Sequence, residues 1–288
     1  MPFNITINYR NDFFGLFNLI LKGISGESIT LHIGKGFLDP GEVILLTSCI
    51  IRLKGNINVV TIGSIRNPAV EHYLRGISLI DFCDRNFQFP DTLESIPSYT
   101  AMPIRRVERE TMNTYINSTQ QYLEGLCPDK DLSMLNLGLS ELINNVYDHA
   151  HSPIGAYVFC QYFPRLEEIG FCVGDLGVGI PEAVNTYMAA KSLPIMSQTD
   201  CLKWAVKENN TIGSFPYNAG KGLDNLSSFI HSTDSSWKLS TSGVVMNGFP
   251  SGKRYAANSI HNFVGTLVEV RIKVANLATK EEVDSFEW

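Results

Sequence analysis

Positive charge is scarce in this sequence. Its 288 residues carry 23 Lys and Arg against 29 Asp and Glu, a net charge of −6. A broad nucleic-acid surface needs a basic excess, so nucleic acid is not expected as a partner. Paired cysteines are missing as well: Cys49, Cys83, Cys127, Cys160, Cys172 and Cys201 are scattered, with no CxxC. They read as reduced, buried thiols of an intracellular protein, not as a disulfide frame or a zinc site. No apolar stretch approaches the ~20 residues that span a bilayer. The start, MPFNITINYRND, lacks the basic end and apolar run of a signal peptide. A soluble, cytoplasmic protein is expected, with no membrane partner. At 44% hydrophobic and 18% charged, the chain can bury a sizeable core in one large domain or two ordinary ones.

What is present begins with alternating elements. Residues 3–9 (FNITINY) alternate like a half-buried strand, and Asp12 to Lys22 carries Phe13, Leu16, Phe17, Ile20 and Leu21 at helical spacing. Ser28 to Ile33 is a second strand. Asp39-Pro40-Gly41 can open a helix through Val43, Leu46, Ile50 and Leu53 that ends near Gly55. Asn58 to Ile62 is a third strand, and Pro68 to Leu74 a helix before the apolar ISLIDFC. Strands and helices in this alternation imply an α/β layer arrangement. Over residues 3–85 the element order and the ending VEHYLRGISLIDFC resemble the STAS domain of anti-sigma-factor antagonists. That resemblance implies an interaction domain that binds a protein partner. Where the family often carries a phosphorylated serine, this chain reads Asp39-Pro40-Gly41-Glu42, and proline cannot accept a phosphate. Residues 1–87 are therefore taken as a STAS-like domain. Gln88 to Arg105, with three prolines and no clear period, is taken as a linker (88–105).

The remaining sequence is organised around LNLGLSELINNVYDHA, Leu135 to Ala150. Leu135, Leu139, Leu142, Ile143, Val146 and Ala150 define one buried helical face. At ~100° per residue, Glu141, Asn145 and Asp148 fall together on the opposite face. A carboxamide oxygen there can ligate Mg²⁺, and a neighbouring Glu can take a proton from a nucleophile. The plain alternative is the polar outer face that any amphipathic helix carries. A helix over Val107 to Leu126 precedes this one. Strands at Ile154 to Tyr162 and Glu168 to Val173 follow it. The second strand ends in GDLGVGIPEAV, where closely spaced glycines let backbone pass near a flat ligand and Asp175 can accept from an exocyclic amine. A tight turn closing a strand would explain the same glycines. Short helical segments are expected at Ala183 to Met188 and Asp200 to Lys207. The turn-rich ENNTIGSFPYN, residues 208–218, then suits a mobile lid. It leads to Gly220-Lys221-Gly222-Leu223-Asp224, where a helix opening on glycines can present N–H groups to phosphate. Lys221 can add a charge, or sit solvated on the lid. Strands are expected at Trp237 to Ser240, Val244 to Met246, Lys253 to Ala256 and Gly265 to Ile272. An acidic tail covers 276–288.

In this order the four motifs ELINNVYDHA, DLGVGI, GKGL and GT, within Arg105 to Val274, resemble the GHKL superfamily of gyrase-type ATPases, mismatch-repair ATPases, histidine kinases and anti-sigma-factor kinases. The resemblance is closest to the anti-sigma-factor-kinase branch. It implies a Bergerat-type α/β sandwich over 106–275, with a mostly antiparallel sheet and ATP on one face. Glu141 matches the activating carboxylate and Asn145 the Mg²⁺ ligand. Asp175 matches the adenine-reading carboxylate, with Gly177 and Gly179, followed by Ile180, shaping its pocket. Gly220 and Gly222 match the lid glycines, flanked by Lys221 and Leu223. Thr266 matches a hydroxyl supporting the Asp175 contact, and Asp148 a bracing residue. His149 falls inside the nucleotide helix, which suits a packing role. The expected function is Mg-ATP binding with hydrolysis or transfer to a Ser/Thr of a protein partner. The alternative is a non-catalytic switch that only reads ATP. A histidine-kinase fragment is disfavoured, since no phosphoacceptor helix pair is recognisable. The partners expected are ATP, a protein met through the STAS-like domain, and a second copy of the chain.

Overall fold

The computed structural model describes residues 3–34, 36–63, 65, 67–89, 100–207, 233, 235–259 and 261–281. Its first sheet contains β1 (Phe3–Ile7), β2 (Gly26–Ile33) and β3 (Ile57–Ile62), parallel and in that spatial order. The crossovers are α1 (Arg10–Leu21) and α2 (Pro40–Asn56), and α3 (Pro68–Gly76) follows. Ile7, Ile29, Leu31 and Ile33 are buried on one face of this sheet. The other face is polar, with Thr30 hydrogen-bonded to Thr61 and His32 to Asn4, each at 3.1 Å.

α2 starts where the sequence says it should. Asp39 caps it by accepting from the Glu42 N–H at 2.9 Å, and Glu42 accepts in return from the Asp39 N–H at 3.0 Å. The single apolar face expected for it is too narrow, however. Val43 through Ile50 are buried without interruption, because sheets lie on both sides of the helix. The polar members of that run, Thr47 and Ser48, turn their hydroxyls back onto the carbonyls of Val43 and Ile44, at 2.8 and 2.9 Å.

The second sheet is antiparallel throughout. It comprises β4 (Arg105–Val107), β5 (Ala156–Phe163), β6 (Glu168–Gly174), β7 (Ser236–Thr241), β8 (Val244–Gly248), β9 (Arg254–Asn258) and β10 (Thr266–Lys273). Its spatial order is β4-β5-β6-β10-β7-β8-β9. Val158, Cys160, Val173, Val268 and Val270 pack toward α4 (Met112–Leu126) and α5 (Ser133–Asn145). The alternate positions Tyr157, Phe159, Cys172 and Leu267 share a core with α1 and α2. The layers therefore run α4/α5, antiparallel sheet, α1/α2, parallel sheet. α6 (Ile180–Ala190) and α7 (Gln198–Ala205) pack against each other through Val184, Met188 and Cys201. Among the described residues no helix is long and apolar enough to cross a membrane. All six cysteines are buried and free.

Three expectations change at the level of elements. The proline-rich stretch is not a tether at its far end: residues 101–105 are buried, Met102 N–H donates to Cys160 at 2.9 Å, and Ile104 N–H to Ile77 at 3.0 Å. The helix expected from Val107 begins only at Met112, because Thr111 and Glu108 close a turn on each other at 3.1 and 3.2 Å. The helix through Leu135 to Ala150 divides into α5 and a wide π turn, Val146–Ala150, which ends at His151 with φ +48°. The helix expected from Leu223 lies outside the described residues.

One ion network crosses the layers. Arg10 on α1 pairs with Asp39 at 3.3 Å and with Glu269 on β10. Burial pushes the Glu269 carboxyl up, and Arg10 pulls it partly back. Removing one partner strands the other charge. Glu269→Ala is expected to lower unfolding stability by about 3 kcal/mol, read as a lower urea midpoint at unchanged slope. An unchanged midpoint would show that the network is ornamental.

Candidate functional site

The site begins at the end of β6, where the chain leaves the sheet between two pairing strands. Asp175 is 2% exposed, and its N–H donates to the Thr266 carbonyl at 2.9 Å. The Gly177 N–H donates to the Asp175 carboxylate at 2.7 Å. Burial pushes this carboxyl up to about 6, against the pull of the Gly177 N–H and of the Thr266 N–H and hydroxyl. A carboxylate has about four lone-pair sites, so with these donors in place it keeps room for an incoming one.

Two glycines permit this geometry. Gly265 has φ +108°, and a Cβ there would land on the Asp175 carbonyl. At Gly177 a Cβ would land on the Ala150 carbonyl, which accepts from the Val178 N–H at 2.8 Å. The glycine loop is thereby fastened to the end of the α5 and π-turn segment. Gly177→Ala should cost about 2 kcal/mol through this clash. Gly125→Ala, in open space on α4, should instead be neutral or stabilising by up to about 1 kcal/mol. Thermal unfolding of the pair checks this, and equal shifts would contradict the fastening.

Glu141 and Asn145 lie one turn apart on α5, both half-buried. Asp148 is no longer in phase with them after the π turn. It pairs with Arg109 at 2.5 Å, and Arg109 also lies over the Tyr147 ring. His149 is half-buried, and burial lowers its pKa more strongly than Asp148 raises it, which keeps the ring neutral at pH 7. The structure thus gathers Asp175, Gly177, Gly179, Ile180 and Thr266 at one end of the sheet, with the α5 segment tied to them. Gly220, Lys221, Gly222 and Leu223 lie outside the described residues. Among the described residues no group of three or more His, Cys, Asp or Glu is placed to hold a metal.

Thr241 is a member that the sequence did not point to. Its hydroxyl donates to the Gly265 carbonyl at 2.7 Å and accepts from the Ile180 N–H at 3.2 Å, so one side chain joins β7, α6 and the approach to β10. Its position follows from the pairing of Thr241 with Thr266, which brings its hydroxyl to Gly265, 24 residues on in sequence. Ser152 does a similar job, accepting weakly from the Leu176 N–H at 3.4 Å.

No protein-family model matches the chain, and neither does any curated protein sequence. The class that its architecture defines is a mixed α/β protein, with a parallel three-stranded sheet and an antiparallel seven-stranded sheet.

Proposed function

We propose that this chain binds Mg-ATP through a GHKL-type site, with the antiparallel sheet and α4–α6 as a Bergerat-type sandwich and the N-terminal layer as a STAS-like module. The observation that carries the reading is Asp175: a carboxylate 2% exposed, fixed by Gly177, Gly265 and Thr266 at the mouth of a sheet. Such a group suits the exocyclic amine of adenine, whose hydrogen bond offsets the cost of burying the charge. Asn145 fits as the one protein ligand to Mg²⁺, a cation that keeps waters and phosphate oxygens as its other ligands. Bound there, the ion would neutralise charge on the phosphates. Glu141, one turn before Asn145, is placed on the same helix to accept a proton from water or from a Ser/Thr hydroxyl of a protein partner.

A specific observation favours the switch alternative. Phe14 and Phe17 of α1 pack on His261 and Phe263, with ring centroids 4.4 and 4.9 Å apart. These two rings precede Gly265 and Thr266, so the N-terminal layer touches the segment that shapes the Asp175 pocket. A switch reads ATP through such contacts without consuming it. Steady ADP release from the purified full chain in Mg-ATP decides between the two. Turnover supports the enzyme, and binding without ADP supports the switch or a kinase lacking its substrate. Absence of both would overturn the proposal.

A further inference from the structure

Among the described residues the two sheets end in four edge strands, and three of these are blunted against further pairing. At β3 the Arg85 guanidinium donates to the carbonyls of Ile57 and Asn58, the latter at 2.9 Å. β4 is only three residues long and lies just after Pro103. β9 begins at Arg254 with Lys253 before it, both exposed. Side-chain cover, shortness and positive charge are the devices that keep a sheet edge from pairing. β1 has none of them. Its sequence, FNITI, carries no charge and no proline, and it pairs with β2 residue for residue, without a bulge.

The outer side of β1 follows from its inner side. The Ile7 carbonyl accepts from the Gly34 N–H at 2.8 Å, so Ile7 turns its backbone groups toward β2. Alternation along the strand then turns those of Asn4 and Thr6 outward. A second β1 laid antiparallel about Ile5 sets Asn4 opposite Thr6, and these are the pairs that exchange both N–H···O bonds. Ile5 meets Ile5, and Phe3, 39% exposed, meets Ile7. Apolar side chains then share one face, amides and hydroxyls the other, and no charge opposes a like charge.

The helix beside this strand matches it. The inner side of α1 packs on α2, where the Phe13 carbonyl accepts from the Cys49 thiol at 3.8 Å. Its outer side is Asn11, Gly15, Leu19 and Lys22, all exposed. A Cβ at Gly15, in the middle of the helix, would meet nothing within 4 Å. Each α1 covers the step from β1 to β2, so pairing two β1 strands sets their α1 helices two strand spacings, ~10 Å, apart, the distance at which helices pack. We propose that β1 and α1 form a two-fold interface with a second copy of this chain, joining two three-stranded sheets into one of six strands. An extended peptide would cover the strand and leave α1 bare, whereas a second copy supplies strand to strand and helix to helix by symmetry. The antiparallel helices also set Lys22 beside the first turn of the other α1, which carries Asp12. The interface belongs to the N-terminal layer and does not depend on the nucleotide reading.

Light scattering on the full chain without nucleotide should give twice the chain mass. Thr6→Pro removes an outward N–H and no bond to β2, a place where an edge strand tolerates proline. Gly15→Glu sets two carboxylates against each other at the helix contact. Each should weaken the dimer at least about tenfold and leave the circular dichroism that of the folded chain. Ile5→Cys reads the register: under mild oxidation it should link to its counterpart, since the six native cysteines are buried, and Tyr9→Cys should not. A monomeric wild type overturns the inference. So does a dimer that survives either substitution, or one that Ile5→Cys fails to link. The wild-type mass and the cysteine link decide even where Thr6→Pro fails to fold.

Discussion

Asp175→Asn should stabilise the protein at neutral pH while abolishing its capacity to bind nucleotide. The Asp175 carboxyl has an ordinary value of 3.8, and burial raises it to about 6 in the fold. The sign follows directly. Folding favours the protonated form, so the full stability is present below about pH 4 and is lost as pH rises through 6. A shift of about two units corresponds to about 3 kcal/mol at pH 7. Asparagine carries no charge and escapes that penalty. The variant should therefore melt higher than wild type at pH 7.5 and lose the difference near pH 4. The Gly177 N–H can still be accepted by the asparagine oxygen, so the loop keeps its anchor. Nucleotide affinity of the wild type should itself weaken as pH falls through 6, when the acceptor gains a proton. Thermal melts across pH 4–8, with nucleotide binding measured on both proteins, check each part. A variant less stable than wild type at pH 7.5 would contradict the burial account. If Asp175 binds nucleotide as proposed, stability and function are traded at this residue.

Glu141→Ala should lower the rate of ADP formation by about 10²–10⁴-fold, the range for removing a general base, while ATP affinity changes by no more than about twofold. The separation follows from placement. Glu141 sits one turn before Asn145 on α5, whereas the loop that would hold the base is built by Asp175, Gly177 and Gly265 on the sheet. Single-turnover kinetics beside equilibrium binding separates the two effects. Parallel loss of binding and turnover would move Glu141 from chemistry to structure.

Much of this architecture is legible in local pattern. The start of α2 at Asp39-Pro40 and the periodicities of α1, α2 and α5 are written in short windows, and the strands from Ala156 to Gly174 read as apolar runs. Those runs also carry a signal that is easy to pass over. Residues 156–161 and 169–174 are buried at every position, so their sheet needs cover on both faces. On one face that cover is α2, itself buried at every position from Pro40 to Ile50. Other features have no local signature. Arg10 and Glu269 are separated by 259 positions, and neither charge stands out in its own window. Thr241 reaches Gly265 only because β7 and β10 pair. The π turn after Asn145 moves Asp148 onto Arg109, and no spacing rule for an α-helix anticipates it. The candidate site was nameable from sequence because glycines at close approaches are visible as letters. The hydroxyl that ties them together was not, since its partners are set by tertiary register.

The most direct measurement is a calorimetric titration of the full chain with Mg-ATP and, separately, with Mg-ITP, in which the exocyclic amine of the base is replaced by a carbonyl oxygen. If Asp175 reads that amine, ATP binds at a single saturable site and ITP is weaker by on the order of 100-fold or more, because two acceptors then face each other. Equal affinity for both, or no saturable binding of ATP, would contradict the account.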